Sequence, residues 1–166
     1  MCQTFWRQTR AQYESPELRF ENLHMMPKPL RPEGVPIWVG GSINPRVVTR
    51  LARFGTGWIP WGPDAADLAR AIPRMRAALR EAGRDPSDLQ VVGRPALHHH
   101  ADGTLDIART MADVPPLLAA GGVTDVRLNV RVPEDESAAL EHLSAITARF
   151  RATVSDHLSE LPSSHP

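Results

Sequence analysis

A single cysteine, Cys2, rules out an internal disulfide and fits a reducing compartment. Charge of one sign is not in excess either. The 19 Lys and Arg are matched by 19 Asp and Glu, which leaves no net field to attract nucleic acid or an anionic membrane. Arginine is spread along the chain and is not interleaved with aromatics, so nucleic acid is not an expected partner. Long apolar runs are missing: the opening MCQTFWRQTR has no apolar core of a leader, and no segment reaches the ~18 residues of a membrane span. A soluble, cytoplasmic protein is expected. No G-x-S-x-G element occurs, and Cys2 has no neighbouring His, Asp or Glu to activate it, so nucleophilic catalysis is not expected.

What is present centres on residues 35–61, VPIWVGGSINPRVVTRLARFGTGWIPW. The run Ile37-Trp38-Val39 has the length and β-branched character of a buried strand. Gly40-Gly41-Ser42 follow, then Asn44-Pro45 and an amphipathic stretch to Phe54. Ser42 or Asn44 suits the N-cap, and Pro45 suits the first helical position, where its missing N–H costs nothing. Gly55 and Gly57 end the helix, and residues 58–61 read as a second short strand. The order is strand, glycine turn, helix, strand, which is one βαβ unit. Glycines before a fresh helix N-terminus leave N–H groups facing a gap, a ready site for an anion.

Upstream, residues 1–14 read as the tail of a helix with nothing before it to pack on, which hints at an absent upstream part. Residues 18–26 read as a strand or hairpin arm, with Leu18, Phe20 and Leu23 as packing positions. Prolines then force an extended loop up to Ile37. Downstream, Asp64 is the expected N-cap of a helix over 65–82, whose Leu68, Ile72, Met75 and Leu79 form one apolar stripe. Pro73 predicts a kink, or an initial turn that ends before it. A third strand is expected over 89–97, and a weaker helix over 107–120, broken by Pro115-Pro116. An alternating fourth strand over 124–130 leads to a last helix over 138–154, with Leu140, Leu143, Ile146 and Phe150 on one face. His98-His99-His100 do not predict a metal centre. Neighbours on a strand point to opposite faces, so only His98 and His100 converge, with no carboxylate or Cys at ligand spacing. A polar loop at a strand exit is the expectation.

Alternating βα units allow either an open doubly wound sheet or a barrel. The segments PKPLRPEGVPIWVGGS, RLARFGTGWIP and EAGRDPSDLQV together resemble the C-terminal half of the luciferase-like monooxygenase superfamily, in its F420-dependent oxidoreductase branch. The resemblance implies an α/β fold, the C-terminal half of a (β/α)8 TIM-type barrel, with four βα units as strands five to eight. It divides the chain into a lead-in (1–34), the half-barrel (35–154) and a flexible tail (155–166). It implies coenzyme F420, with FMN as the alternative, in a flavin- or deazaflavin-dependent oxidoreductase or monooxygenase that moves hydride between cofactor and a small organic substrate. The cofactor phosphate would rest on Gly40, Gly41 and Ser42, helped by Arg46, with Trp58 and Trp61 near the barrel mouth. As ordinary residues, Trp38, Trp58 and Trp61 would be core packing. No acidic residue suited to reading a ribose is evident, so NAD would take part only as a diffusing reductant. Much of the ring pocket in this family comes from the first four strands. The chain by itself is therefore expected to have little activity, and its catalytic residues are unassigned. The alternative is a non-catalytic half-barrel that associates with itself or with a complementary half.

Overall fold

Two folding units divide between Ile37 and Trp38 in the computed structural model, which describes residues 1–31 and 34–160. In the first, α1 (Cys2–Arg7) precedes an antiparallel hairpin of β1 (Ala11–Glu14) and β2 (Arg19–Leu23). Residues 11–14 are therefore strand, not helix. The reason is cross-strand packing: Tyr13 opposes Phe20 in the ladder, and the Phe20 ring stacks on Tyr13 at 5.8 Å and on Phe5 at 4.7 Å. Leu18 and Leu23, expected to pack, are exposed, while Phe20 is half-buried. Lys28 donates from Nζ to the carbonyls of Phe5 and Gln8 at 2.6 Å each, which places a cation at the C-terminus of α1.

The second unit is a parallel α/β sheet. Its elements are β3 (Trp38–Gly40), α2 (Pro45–Phe54), β4 (Gly57–Ile59), α3 (Pro63–Ala66), α4 (Leu68–Glu81) and β5 (Gln90–Gly93). Then come α5 (Ile107–Ala112), α6 (Val114–Ala119), β6 (Asp125–Val126) and α7 (Glu136–Glu160). The strands lie in the order β3-β4-β5-β6, every pair parallel, with β3 and β6 at the edges. Sheet order thus follows chain order without a reversal. The stripe foreseen on α4 is the heart of the core: Ile72, Met75 and Leu79 are fully buried against Leu51 of α2, Trp58 of β4 and Val91 of β5.

Several boundaries differ from the sequence expectation, each for a packing reason. The helical region after β4 begins with a short turn, α3, that ends before Pro73, the second of the two arrangements expected. Asp67 in place of Asp64 caps the long helix α4 by accepting from the Arg70 N–H. The expected break in the 107–120 region falls at Asp113, and Pro115 and Pro116 lie just after it in the first turn of α6. The fourth strand keeps its alternation, with Val126, Leu128 and Val130 turned inward. Only Asp125–Val126 is laddered, because β5 ends at Gly93. On α7 the packed ridge is Ile146, Phe150 and Val154, spaced by four, against Met111 and Val114. Leu140 and Leu143 are exposed, so the apolar face begins later than the composition suggests. The helix also runs through 155–160, where a flexible tail was expected; residues 161–166 of that tail lie outside the described residues. Asp135 caps α7 by accepting from the Ala138 N–H at 2.9 Å.

Candidate functional site

The exit of β3 carries the residues singled out by sequence. Gly41 has φ +142°, a conformation side chains rarely adopt, and a Cβ there would fall 2.9 Å from a Val47 methyl. Glycine is thus required by the turn and by the helix packed behind it. A Cβ on Gly40 would approach the Trp61 indole at 3.2 Å, so the bare backbone of Gly40 lies beneath that ring. Trp61 is exposed. Ser42 donates its hydroxyl to the Trp61 carbonyl at 3.0 Å, tying the ends of β3 and β4 together.

Trp58 stands differently. It is wholly buried, and its indole N–H donates to the Gly41 carbonyl at 2.8 Å. Trp58 therefore shows no surface to a ligand; it shapes the turn from below by fixing the Gly41 peptide.

The start of α2 is well supplied with acceptors from its own chain. Asn44 is the N-cap, and its Oδ1 accepts from the N–H groups of Arg46 and Val47. The Ile43 N–H donates to Asp64 Oδ2 at 2.7 Å. Asp64 was the expected cap of the next helix; instead it reaches back to the previous one. Its carboxylate is nearly buried, with Arg74 at 3.3 Å as its ion partner. A negative charge at a helix N-terminus is stabilised by the macrodipole, so this carboxylate occupies ground an external anion would otherwise use. Arg46 is the converse. It lies exposed in the first turn of α2, where a cation opposes the dipole, and the ion pairs among the described residues do not include it. Arg50 and Arg53 continue along the same exposed groove.

The three histidines separate. His98 Nε2 lies 2.9 Å from Asp113 Oδ2, and the His98 N–H donates to the buried Thr110 hydroxyl. His99 bridges to Leu105, and the His100 backbone closes the turn through Thr104 and Gly103. Among the described residues no three His, Cys, Asp or Glu side chains cluster as metal ligands. At the turn's tip the Asp102 carboxyl is held below its usual range by the Thr104 hydroxyl and then the Thr104 N–H.

A cavity of about 570 Å³ opens where β5 and β6 end, between the loop that follows β5, the loop that follows β6, and α7. Sequence reasoning reached only His99 of its lining. Asn129, Arg131 and His142 carry no local motif, and their spacing along the chain offers no signal that they converge.

Three curated relatives, one from Mycobacterium bovis and two from Mycobacterium tuberculosis strains, are all described as uncharacterized proteins. Each is 33% identical over 111 residues, or 66% of this chain and 32% of the relative. The match therefore spans about a third of those relatives' length. Among solved structures, a riboflavin lyase (RcaE) crystallised with modified FMN and riboflavin is similar over 67% of this chain and 25% of its own. The identity is 18% and the TM-score 0.40. A family model described as luciferase-like monooxygenase matches residues 1–159. With nearly the whole chain inside that match, and a parallel βα sheet as its larger unit, the protein belongs to the luciferase-like monooxygenase family.

Proposed function

We propose that the chain is the C-terminal half-barrel of a flavin- or deazaflavin-dependent oxidoreductase, with F420 as the first cofactor candidate and FMN as the alternative. The observation that carries this reading is the exit of β3. There a glycine pair lies beside an exposed indole, and an arginine with no ion pair among the described residues stands against its own helix dipole. A residue placed against a local electrostatic preference has its compensation elsewhere, and a ligand phosphate supplies it. Gly40, Gly41, Ser42 and Arg46 would hold the phosphate end. Trp58 acts through the Gly41 peptide it fixes, and Trp61 offers a ring face.

The fit is partial. The N–H groups of Ile43, Arg46 and Val47 already have partners, so Arg46 and not the helix N-terminus would provide most of the attraction. When bound, a flavin or deazaflavin exchanges a hydride with substrate; the chain's own residues bind and orient. Family membership supports the oxidoreductase class, and the sequential parallel order of β3 to β6 supports half of a barrel wall.

Fluorescence titration of the folded protein with F420 and with FMN, beside size-exclusion chromatography, tests this. Saturable binding that Arg46→Ala weakens about tenfold is expected. A folded sample that binds neither cofactor overturns the reading. Arg46→Ala is the informative variant, because a side chain on Gly41 would strain the turn whatever its ligand role.

The second reading is a non-catalytic half-barrel that requires a partner. It is favoured by β3 and β6, whose outer edges have no ladder partner among the described residues. Unpaired edges recruit strands, so a second copy or a complementary half would be the partner. A small-molecule substrate, with neither nucleic acid nor membrane as partner, completes the proposal. Among the described residues no helix is long and apolar enough to cross a membrane.

A further inference from the structure

We propose that the cavity at the exits of β5 and β6 binds a small organic carboxylate. The apolar body would lie against Leu97, Leu105 and Val130, and the carboxylate between Arg131 and His142.

The location is the one parallel sheets offer, in the crevice outside the carboxyl ends of their strands. The volume, about 570 Å³, is that of a small-molecule pocket, and the lining mixes apolar walls with a few polar groups. Two side chains there lack partners that buried or charged groups normally have. His142 Nε2 is buried and has no hydrogen-bond partner among the described residues, an uncommon state in a native structure. Arg131 belongs to none of the ion pairs among the described residues.

The sign of the ligand follows from comparing the two fixed charges in the lining, Arg131 and Glu134. Glu134 immediately precedes Asp135 and Glu136 at the start of α7, where acidic residues are stabilised by the helix dipole without any ligand. Arg131 has no such local explanation. Asn129 and His142 can each donate a hydrogen bond, so the polar part of the lining favours an acceptor with negative charge. The lining shares no residue with the turn at the exit of β3. Success or failure of the cofactor reading therefore leaves this one untouched.

Benzoate and benzamide serve as probes, being alike in shape and different in charge. Long-range proton–nitrogen correlation spectra of histidine-labelled full chain report each imidazole directly. Benzoate is expected to shift the His142 ring nitrogens saturably. Benzamide should bind about tenfold more weakly, and Arg131→Gln should weaken benzoate by a similar factor. Arg131 lies in an exposed loop, so its variant folds and keeps the test sound; His142→Leu, if folded, should abolish the response. Equal binding of the two probes, a benzoate response that leaves His142 unmoved, or unchanged affinity in folded Arg131→Gln each overturns the proposal. A His142 whose nitrogens respond to neither probe marks an orphan met by water and overturns it as well.

Discussion

The carboxylate of Asp64 accepts a 2.7 Å hydrogen bond from the backbone N–H of Ile43, twenty-one positions earlier in the chain. This contact joins the exit of β4 to the exit of β3, and it gives α2 an internal anion at its positive end. The helix donors nearest the glycine turn are thus satisfied from within, and Arg46 has no ion pair among the described residues.

Asp64→Asn keeps an acceptor for Ile43 and removes the charge. An anionic cofactor or inorganic phosphate is then expected to bind about three- to tenfold more tightly at low salt, read by calorimetry. Asp64→Ala removes the acceptor too, and should lower unfolding free energy by about 1–3 kcal/mol in urea titrations. An unchanged anion affinity in the Asn variant would show that the carboxylate does not compete.

Trp58→Phe should cost about 1–3 kcal/mol of stability, measured by chemical denaturation. The ring volume is largely kept, but the Gly41 carbonyl loses its buried donor. A loss within a few tenths of a kcal/mol would mean that the carbonyl finds another partner.

Arg84 is the clamp at the other end of α2. Its guanidinium donates to the carbonyls of Leu51 and Gly55, and pairs with Asp88 at 3.1 Å. The last carbonyls of a helix need such partners, and a cation there also suits the dipole. Arg84→Ala is expected to lower stability by about 2–3 kcal/mol, with Arg84→Lys recovering only part, because an ammonium lacks the planar fork. Urea midpoints of the three proteins check this.

The turn after α4 carries an acid-sensitive element. The Ser87 N–H, and then its hydroxyl, hold the Asp85 carboxyl below the ordinary value of 3.8. A depressed folded-state value contributes stability above the unfolded pKa, and that contribution is lost as pH falls through the folded one. Ser87→Ala should therefore flatten the decline in stability on acidification below about pH 4, while changing little near neutrality. Denaturation midpoints across an acid series read the difference. A parallel decline in both proteins would sink the assignment.

Legibility along the chain tracked how local each cause was. Asn44 as cap and Pro45 at the first helical position were readable because an N-cap bonds only two or three residues ahead. The α4 stripe was readable because helix period and apolar spacing coincide. The second arm of the hairpin was readable as a strand, but residues 11–14 were misread as helix because the pairing rests on Phe20 stacking across strands, which no window over 1–14 contains. The buried role of Trp58 was ambiguous for a related reason: a tryptophan on a short strand faces core or mouth according to which neighbours cover it.

By itself, then, the sequence determined the succession of βα units, the cap of α2, the apolar stripe of α4, and the family to which the chain belongs. Those are properties of near neighbours and of pattern. Tertiary structure alone decided that Asp64 reaches back to Ile43, that His98 meets Asp113, and that Arg131 and His142 line one cavity. The last two pairs each lie within one βα unit, brought together across a long loop, and Asp64 with Ile43 joins two units. Parallel strands need long crossovers, so residues brought together at the sheet's carboxyl end are far apart in the chain. Which donor meets which acceptor there is settled only when the strands align.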